Sequence, residues 1–531
     1  MFRCTIFYAS KSASPNAHIL RRGLQTRANG WNAIIGLEIH AQIDTRTKLF
    51  SDTLTSFNSP VNTNISVVDA AFPGVQPTLN EKCVELAVKT AIALGSTINK
   101  RSTFDRKHYF YPDLPQGYQI TQHFKPIANG GVLPLLEKDG ISKPMQVRIE
   151  QVQLEQDTGK SMHDMRPNMT LLDLNRAGSG LMEIVTKPDM RSALEAGQFV
   201  KKLQALLRSV GSSNANMEEG SFRCDVNVSV HKHGEEWGTR CELKNLNSVR
   251  FISAAIDAEI ERQIEVLQSG GRIDQETRGY DVENGKTFRL RGKETAHDYR
   301  YMPEPDLPTL ILTEEYIETL RNNMPELPDA KWSRMVKQYS LSDHDATVLL
   351  SEAGAAEYFE TVCKGRPPKL VVNWMTHELF GQIASKGVSF SANPVSADQL
   401  GSIVDLVQSG AITGMTAKNV LKIMVDETQP RLALDIVEEK GWKKVGDESK
   451  LREMCLALMN QNPDKVASIR SGNTKLATWL IGQIMRDTRG LADPVALNKV
   501  LEEALGVKLD VPSNNMSQGK SKKSKKSQLS K

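Results

Sequence analysis

The hydrophobic period of this chain changes once, and that change decides what it can build. Between residues 30 and about 310, apolar and polar side chains alternate over short runs, the period of a strand with one dry face. IIGLEIHAQ (34 to 42) sets Ile35, Leu37, Ile39 and Ala41 on one side and Gly36, Glu38, His40 and Gln42 on the other. Gly36, with no side chain, leaves room beside the acid and the imidazole for something to approach. Two helical stretches interrupt, EKCVELAVKTAIAL (81 to 94) and ALEAGQFVKKLQALLRSV (193 to 210), each with apolar residues three and four apart. After PELPDAKWSR (325 to 334) the chain is almost wholly helical. In KLATWLIGQIMRDTRG, Ala477, Leu480, Ile481, Ile484 and Met485 share one face, and Gly490 is placed as the C-cap. Strands that do not alternate regularly with helices predict an α+β fold with a large antiparallel sheet. A Ser, Gly, Asn and Pro cluster at 387 to 401 predicts a further break. The expected organisation is an α+β domain over 30–320, a helical domain over 321–395 and a second helical domain over 396–510. No internal repeat is visible.

Charge separates the ends from the body. Residues 1–37 carry five cations and no acid, and residues 511–531 carry six lysines and no acid; with a total of +4, residues 38–510 hold −7. A polyanion would therefore be held by a local basic patch. The basic, serine-bearing, acid-free opening predicts a mitochondrial transit peptide over 1–29, and hence a matrix protein. QGKSKKSKKSQLSK cannot bury apolar surface and predicts a disordered Lys-rich tail over 511–531, either a solvated end or an electrostatic arm for RNA. No run of about 18 apolar residues exists, so no membrane span is expected. Six cysteines without C-x-x-C spacing argue against a zinc ribbon or disulfide framework and read as packing residues in a reducing compartment.

Carboxylates recur on the polar sides of these strands. In QVRIEQVQLEQDTGK the apolar set slips from Val147 and Ile149 to Val152 and Leu154, predicting a bulge near Glu150 and Gln151 and leaving Gln153 and Glu155 on the wet face. SFRCDVNVSV alternates Phe222, Cys224, Val226 and Val228 with Arg223, Asp225, Asn227 and Ser229. Glu183 stands alone among Leu181, Met182, Ile184 and Val185, where burial is costly without a cation or donors. A solvated face accounts for Glu38 or Asp225 singly, and an ion pair with an arginine such as Arg176 for Glu183. Together, hard oxygen ligands on several strands suit Mg²⁺. Two carboxylates about 4 Å apart repel by about 4 kcal/mol at an effective dielectric of 20, so a shared site needs the cation. Spacing alone does not show that they converge.

DTGKS (157 to 161) and NGKT (284 to 287) look like phosphate loops but lack the earlier glycine, with Leu154 and Tyr280 in its place; ATP, if used, is not on a P-loop. No G-x-S-x-G elbow appears. HYFYPDLPQGYQITQ (108 to 122) and HDYRYMPEPDLP (297 to 308) are rigid aromatic loops, equally suited to core edges or to lining a nucleotide pocket.

GLEIHAQ, FDRKHYFYPDLPQGYQITQ, LEQDTGKS, LLDLNRAGSGLMEIV, MEEGSFRCDVNVSV, ELKNLNS, DYRYMPEPDLP and WLIGQIMRDTRGLADP, in this order from residue 31 to about 505, resemble the B subunit of the aspartyl/glutamyl-tRNA amidotransferases. The resemblance implies a cradle-like catalytic domain followed by helical domains, the last binding tRNA. It implies an ATP-dependent ligase that phosphorylates the side chain of the glutamate on Glu-tRNA(Gln) and replaces the phosphate with ammonia. The ammonia comes from a glutaminase A subunit, and a small third subunit, C-type or F-type, accompanies the two. On the same grounds Glu38, His40, Glu155, Glu183 and Asp225 are the expected catalytic and Mg²⁺ cluster, His40 serving as ligand or positioning ammonia, while Lys160, Arg223 and Lys244 are expected to assist in binding ATP. Relatives often carry LEED where this chain has Leu154-Glu155-Gln156-Asp157, and the cysteines some relatives carry near residues 62–77 are absent, so zinc does not follow. An RNA-binding scaffold with an idle acidic pocket and a metal-dependent nuclease are the competing classes.

Overall fold

The computed structural model describes residues 30–163, 169–292, 298–427, 429–444, 448–471, 476–488 and 490–507; the expected transit peptide and Lys-rich tail lie outside them. The chain divides into two units, residues 1–331 and 332–531.

In the first unit the strands used below are β1 (Trp31–Gln42), β2 (Thr97–Ile98), β3 (Asp105–His108), β4 (Tyr118–Thr121), β5 (Ala128–Asn129), β6 (Val132–Leu135) and β7 (Met145–Gln156). Further on come β8 (Gly180–Thr186), β9 (Phe222–Lys232), β10 (Cys241–Leu243), β11 (Glu276–Asp281), β12 (Lys286–Gly292) and β13 (Met302–Pro303). Ten of them form one sheet in the order β12-β11-β10-β9-β1-β8-β7-β5-β2, with β6 also on β7. Its pairings are antiparallel except β10 with β11. A separate sheet, β13-β3-β4, joins the two aromatic loops.

Helices α1 (Glu81–Ala93), α2 (Ala193–Val210) and α3 (Val249–Gln268) begin at Asn80, Ser192 and Ser248, whose side chains accept the N–H of Lys82, Glu195 and Phe251. Their Ala87, Phe199, Leu203, Ile252 and Ile256 share one core with Ile35, Leu37, Ile39 and Ala41 of β1. Each such side chain contributes about 1.5–3 kcal/mol on burial, so a one-residue slip of β1, which would exchange this set for Glu38 and His40, is strongly disfavoured. The apolar face thus fixes where the polar face points. The expected bulge is present: Val185 pairs with Gln151 and Thr186 with Ile149, leaving Glu150 extra. Gly36 departs from expectation. A Cβ placed there would meet Pro188 at 3.6 Å, an ordinary contact, so the space beside Gly36 belongs to the fold and not to a ligand.

Helix α4 (Glu314–Asn322) adds Ile317 and Leu320 to the same core, which carries the first unit past the expected limit at 320. In the second unit one core runs from Met335 to Val437 and another from Leu451 to Leu505. The 387–401 stretch therefore does not divide two domains: Phe390 and Val395 are buried in the first of these cores, and the change of core falls between Val437 and Leu451. The helix Ala477–Asp487 buries Ala477, Leu480 and Ile484; Thr488 is its cap, and Gly490, at φ +80°, donates its N–H to the Met485 carbonyl. Among the described cysteines all five are free and buried.

Candidate metal and phosphate site

Strand register assembles the site. In an antiparallel pair, directly opposed residues share a face. Glu38 on β1 opposes Asp225 on β9, and His40 opposes Arg223 on β9 and Glu183 on β8. Glu183 in turn opposes Gln153 on β7, and Glu155 lies two residues further along that strand. Oxygen or nitrogen atoms of Glu38, His40 and Glu183 all lie within 4.8 Å of one another, enough for one divalent ion. The two carboxylates are the donors Mg²⁺ prefers, and the imidazole is the one it takes less readily.

The other two expected ligands fall outside this group of three. Glu155, 1% exposed, is already engaged: Gln119 Nε2 donates to it at 3.1 Å, Thr121 Oγ1 at 3.0 Å and Gln153 Nε2 at 3.3 Å, with His40 Nε2 at 3.6 Å. Asp225 is held by the Lys244 ammonium, which also reaches Glu242 at 3.3 Å. Glu183 does not pair with Arg176; it accepts from the Gln153 amide, while Arg176 lies 3.5 Å from Asp157. Arg223 is likewise committed to Asp157, donating twice at 3.0 Å. Lys160 is not brought in. It is exposed on a separate hairpin, Lys160–His163 paired with Thr170–Asp173, and makes no hydrogen bond or ion pair with the expected acids.

Burial, then repulsion from Glu155, lifts the Glu183 carboxyl well above the usual carboxylate range. Burial would raise Glu155 too, but the Lys107 cation, His40 and a hydrogen bond with Glu183 hold it below its ordinary value. The two neighbouring carboxyls are thus pushed in opposite directions, Glu183 towards its neutral form and Glu155 towards its ionised one. A divalent ion bound by Glu38, His40 and Glu183 would add positive charge beside Glu183 and favour its ionised form.

The sequence missed Lys107. On β3 it opposes Gln119, the residue that donates to Glu155. Burial would lower its ammonium, but Glu155, Tyr301 and Glu183 hold it charged well above its ordinary value. Its alternation with Asp105 in FDRKH was the available signal. The two aromatic loops do converge beside it: Lys107 Nζ lies 5.1 Å from the Tyr299 ring centre, His123 and Tyr301 stack at 3.9 Å, and Tyr109 lies edge-on to Tyr299 at 6.3 Å. Arg106 clamps them by donating at 2.7 and 2.8 Å to the two oxygens of Glu304. Burial pushes the Tyr301 hydroxyl up to about 12, so it remains a donor.

Residues 33–318, which carry this site, match the family described as GatB/GatE catalytic domain, and residues 357–505 the GatB domain. The B subunit of the aspartyl/glutamyl-tRNA(Asn/Gln) amidotransferase of a Methylobacterium species is 48% identical over 494 residues, 93% of this chain and 100% of that protein. The proteins of the same name from Mesorhizobium japonicum and Azorhizobium caulinodans are each 48% identical, over 90% of this chain and 96% of theirs. The chain belongs to the amidotransferase B-subunit family, whose members are ATP-dependent ligases.

Proposed function

We propose that this chain activates the glutamyl side chain of Glu-tRNA(Gln) with ATP and amidates it, in the mitochondrial matrix, with ammonia from a glutaminase A subunit, in a complex completed by a small third subunit. The acid-free basic segment 1–29 supports the address. The observation that carries the chemistry is the convergence of Glu38, His40 and Glu183 beside Lys107 on one face of the sheet.

Glu38, His40 and Glu183 would hold Mg²⁺, and the ion when bound neutralises phosphate charge and aligns the γ-phosphate. Lys107 supplies a fixed cation for the phosphoryl oxygens, and Glu155, held by three donors, orients His40. The tyrosine loops exclude water from the acyl phosphate. A side-chain carboxylate oxygen of the substrate attacks the γ-phosphorus and ADP leaves. Ammonia then attacks the acyl carbon, a proton is lost, and inorganic phosphate departs as the amide forms. Asp225 steadies Lys244 next to Glu38.

Glu183→Gln in the reconstituted complex is expected to cut Glu-tRNA-dependent ATP cleavage by about 10²-fold or more, with the partner's glutaminase retained. Full activity would defeat the catalytic role and leave an RNA-binding scaffold, and loss of intact tRNA without ATP would point to a nuclease.

A further inference from the structure

The strand that carries Glu38 and His40 begins at a second pocket. Asn32 shares the polar face of β1 with Glu38 but lies six residues before it, about 20 Å along the strand, and opposes His231 on β9. Here the walls of a cavity of about 440 Å³ include Trp31, Asn32, Arg191, His231, His233 and Trp237. The turn after β9 builds one side of it. The His233 N–H donates to the Gly30 carbonyl at 3.0 Å, Gly234 takes φ +88°, and a Cβ at Gly238 would collide with the Val230 carbonyl. Glycine at 234 and 238 thus lets the chain fold back on the strand end, and Trp237 between them is left 62% exposed.

The polar groups of this pocket are held in place and only partly used. Arg191 Nη1 donates to the Pro188 and Met190 carbonyls at 2.6 and 2.9 Å, and its Nε and Nη2 make no hydrogen bond among the described residues. Asp189, two positions before it, is taken by Arg148 at 2.6 Å. His231 Nδ1 donates to the Glu235 carbonyl at 3.0 Å, and His233 Nδ1 lies 3.5 Å from the Asn32 amide nitrogen, so each ring keeps its Nε2. No carboxylate lines the pocket among the described residues, and an arginine and two imidazoles do, which matches an anion. The exposed indole adds a stacking face. The volume falls among those of pockets that enclose a whole small ligand, roughly 300–1,000 Å³. A continuing RNA strand is disfavoured, because Glu235 and Glu236 stand exposed on the same turn, where they would repel its next phosphates.

We propose that this pocket is a second nucleotide site, which takes a free nucleoside monophosphate or diphosphate with its base on Trp237 and its phosphate on Arg191 and His233. Pro188, packed on Gly36, stands between it and Glu38, so a nucleotide held here does not reach the reacting atoms. Its occupancy would report the nucleotide pool to the catalytic sheet without taking part in the chemistry. The site does not depend on which aminoacyl-tRNA the chain serves.

The test is a calorimetric titration of the complete amidotransferase with AMP in the absence of Mg²⁺, for the wild type and for Trp237→Ala, Trp237→Phe and Arg191→Met. Losing the stacking face or the guanidinium is expected to weaken AMP by roughly tenfold, and Trp237→Phe to keep most of the affinity. The KM for ATP should be the same in Trp237→Ala as in the wild type. Trp237 is exposed, so its variants should also keep the thermal midpoint, and they decide the matter if Arg191→Met is unstable. No binding of millimolar AMP to the wild type, or equal binding to Trp237→Ala, overturns the assignment. A rise in the KM for ATP would make this the substrate's own nucleotide site, and a loss of affinity for deacylated tRNA without any binding of AMP would give the indole to an RNA strand; either result also overturns it. A wild-type complex that makes no Gln-tRNA sinks the function proposed above and leaves the AMP titration readable.

Discussion

Lys107 shows how far a single side chain can shape this site. Without its cation, Glu155 would lose the largest influence offsetting its burial. Lys107→Met is expected to slow Glu-tRNA-dependent ATP cleavage by about 10²-fold, the loss found when one preorganised electrostatic contact is removed. Stopped-flow release of phosphate measures it, and an unchanged rate would relegate Lys107 to packing. Alternation alone sets Glu38, His40 and Asp225 on strand faces, and Glu183 stood out as a lone acid in an apolar run. Lys107 was not legible, because it reaches them through β3, a four-residue strand of a different sheet. Nor was the division between metal group and support. Whether Glu155 or Glu183 is free to take an ion depends on which has collected donors, and the donors of Glu155 come from β4 and β7.

At the level of elements, helix α3 and the β11–β12 hairpin are joined by a buried charge network. Glu259, fully buried, accepts from Arg262 at 2.7 and 2.9 Å, from Gln263 at 2.7 Å and from Thr287 at 2.7 Å, with Arg278 at 3.2 Å. Burial would raise its carboxyl, but these donors hold it below the usual range. A depressed carboxylate stabilises the fold above its unfolded pKa and stops doing so as pH falls through its folded one. Glu259→Gln should therefore cost about 3–5 kcal/mol by urea unfolding at pH 7, and the gap to wild type should shrink below about pH 4. A gap that holds or widens in acid would exclude the carboxylate as its source. The elements were mostly readable: α2 occupies the expected residues 193–210, and the β7 bulge falls at Glu150. The misplaced helical break has a plain cause. Gly, Ser, Asn and Pro mark a turn, and whether a turn separates two cores depends on distant residues such as Phe390 and Val395, which pack back among their neighbours.

Across the whole molecule, β1 lies in the interior of the ten-stranded sheet, with β9 on one side and β8 on the other. Its amides from Leu37 to Ala41 are therefore expected to exchange with deuterium only when the first unit unfolds as a whole, whereas those of Tyr109 to Gln116, which lie outside any strand, should exchange by local opening. Mass spectrometry of exchanging peptides checks this, and early labelling of 37–41 would contradict it. Two of the three residues gathered for the ion thus ride on an interior strand of the sheet. An ion binding between Glu38, His40 and Glu183 would arrive at a seat already upholstered, and so would give little added protection to the amides of that strand.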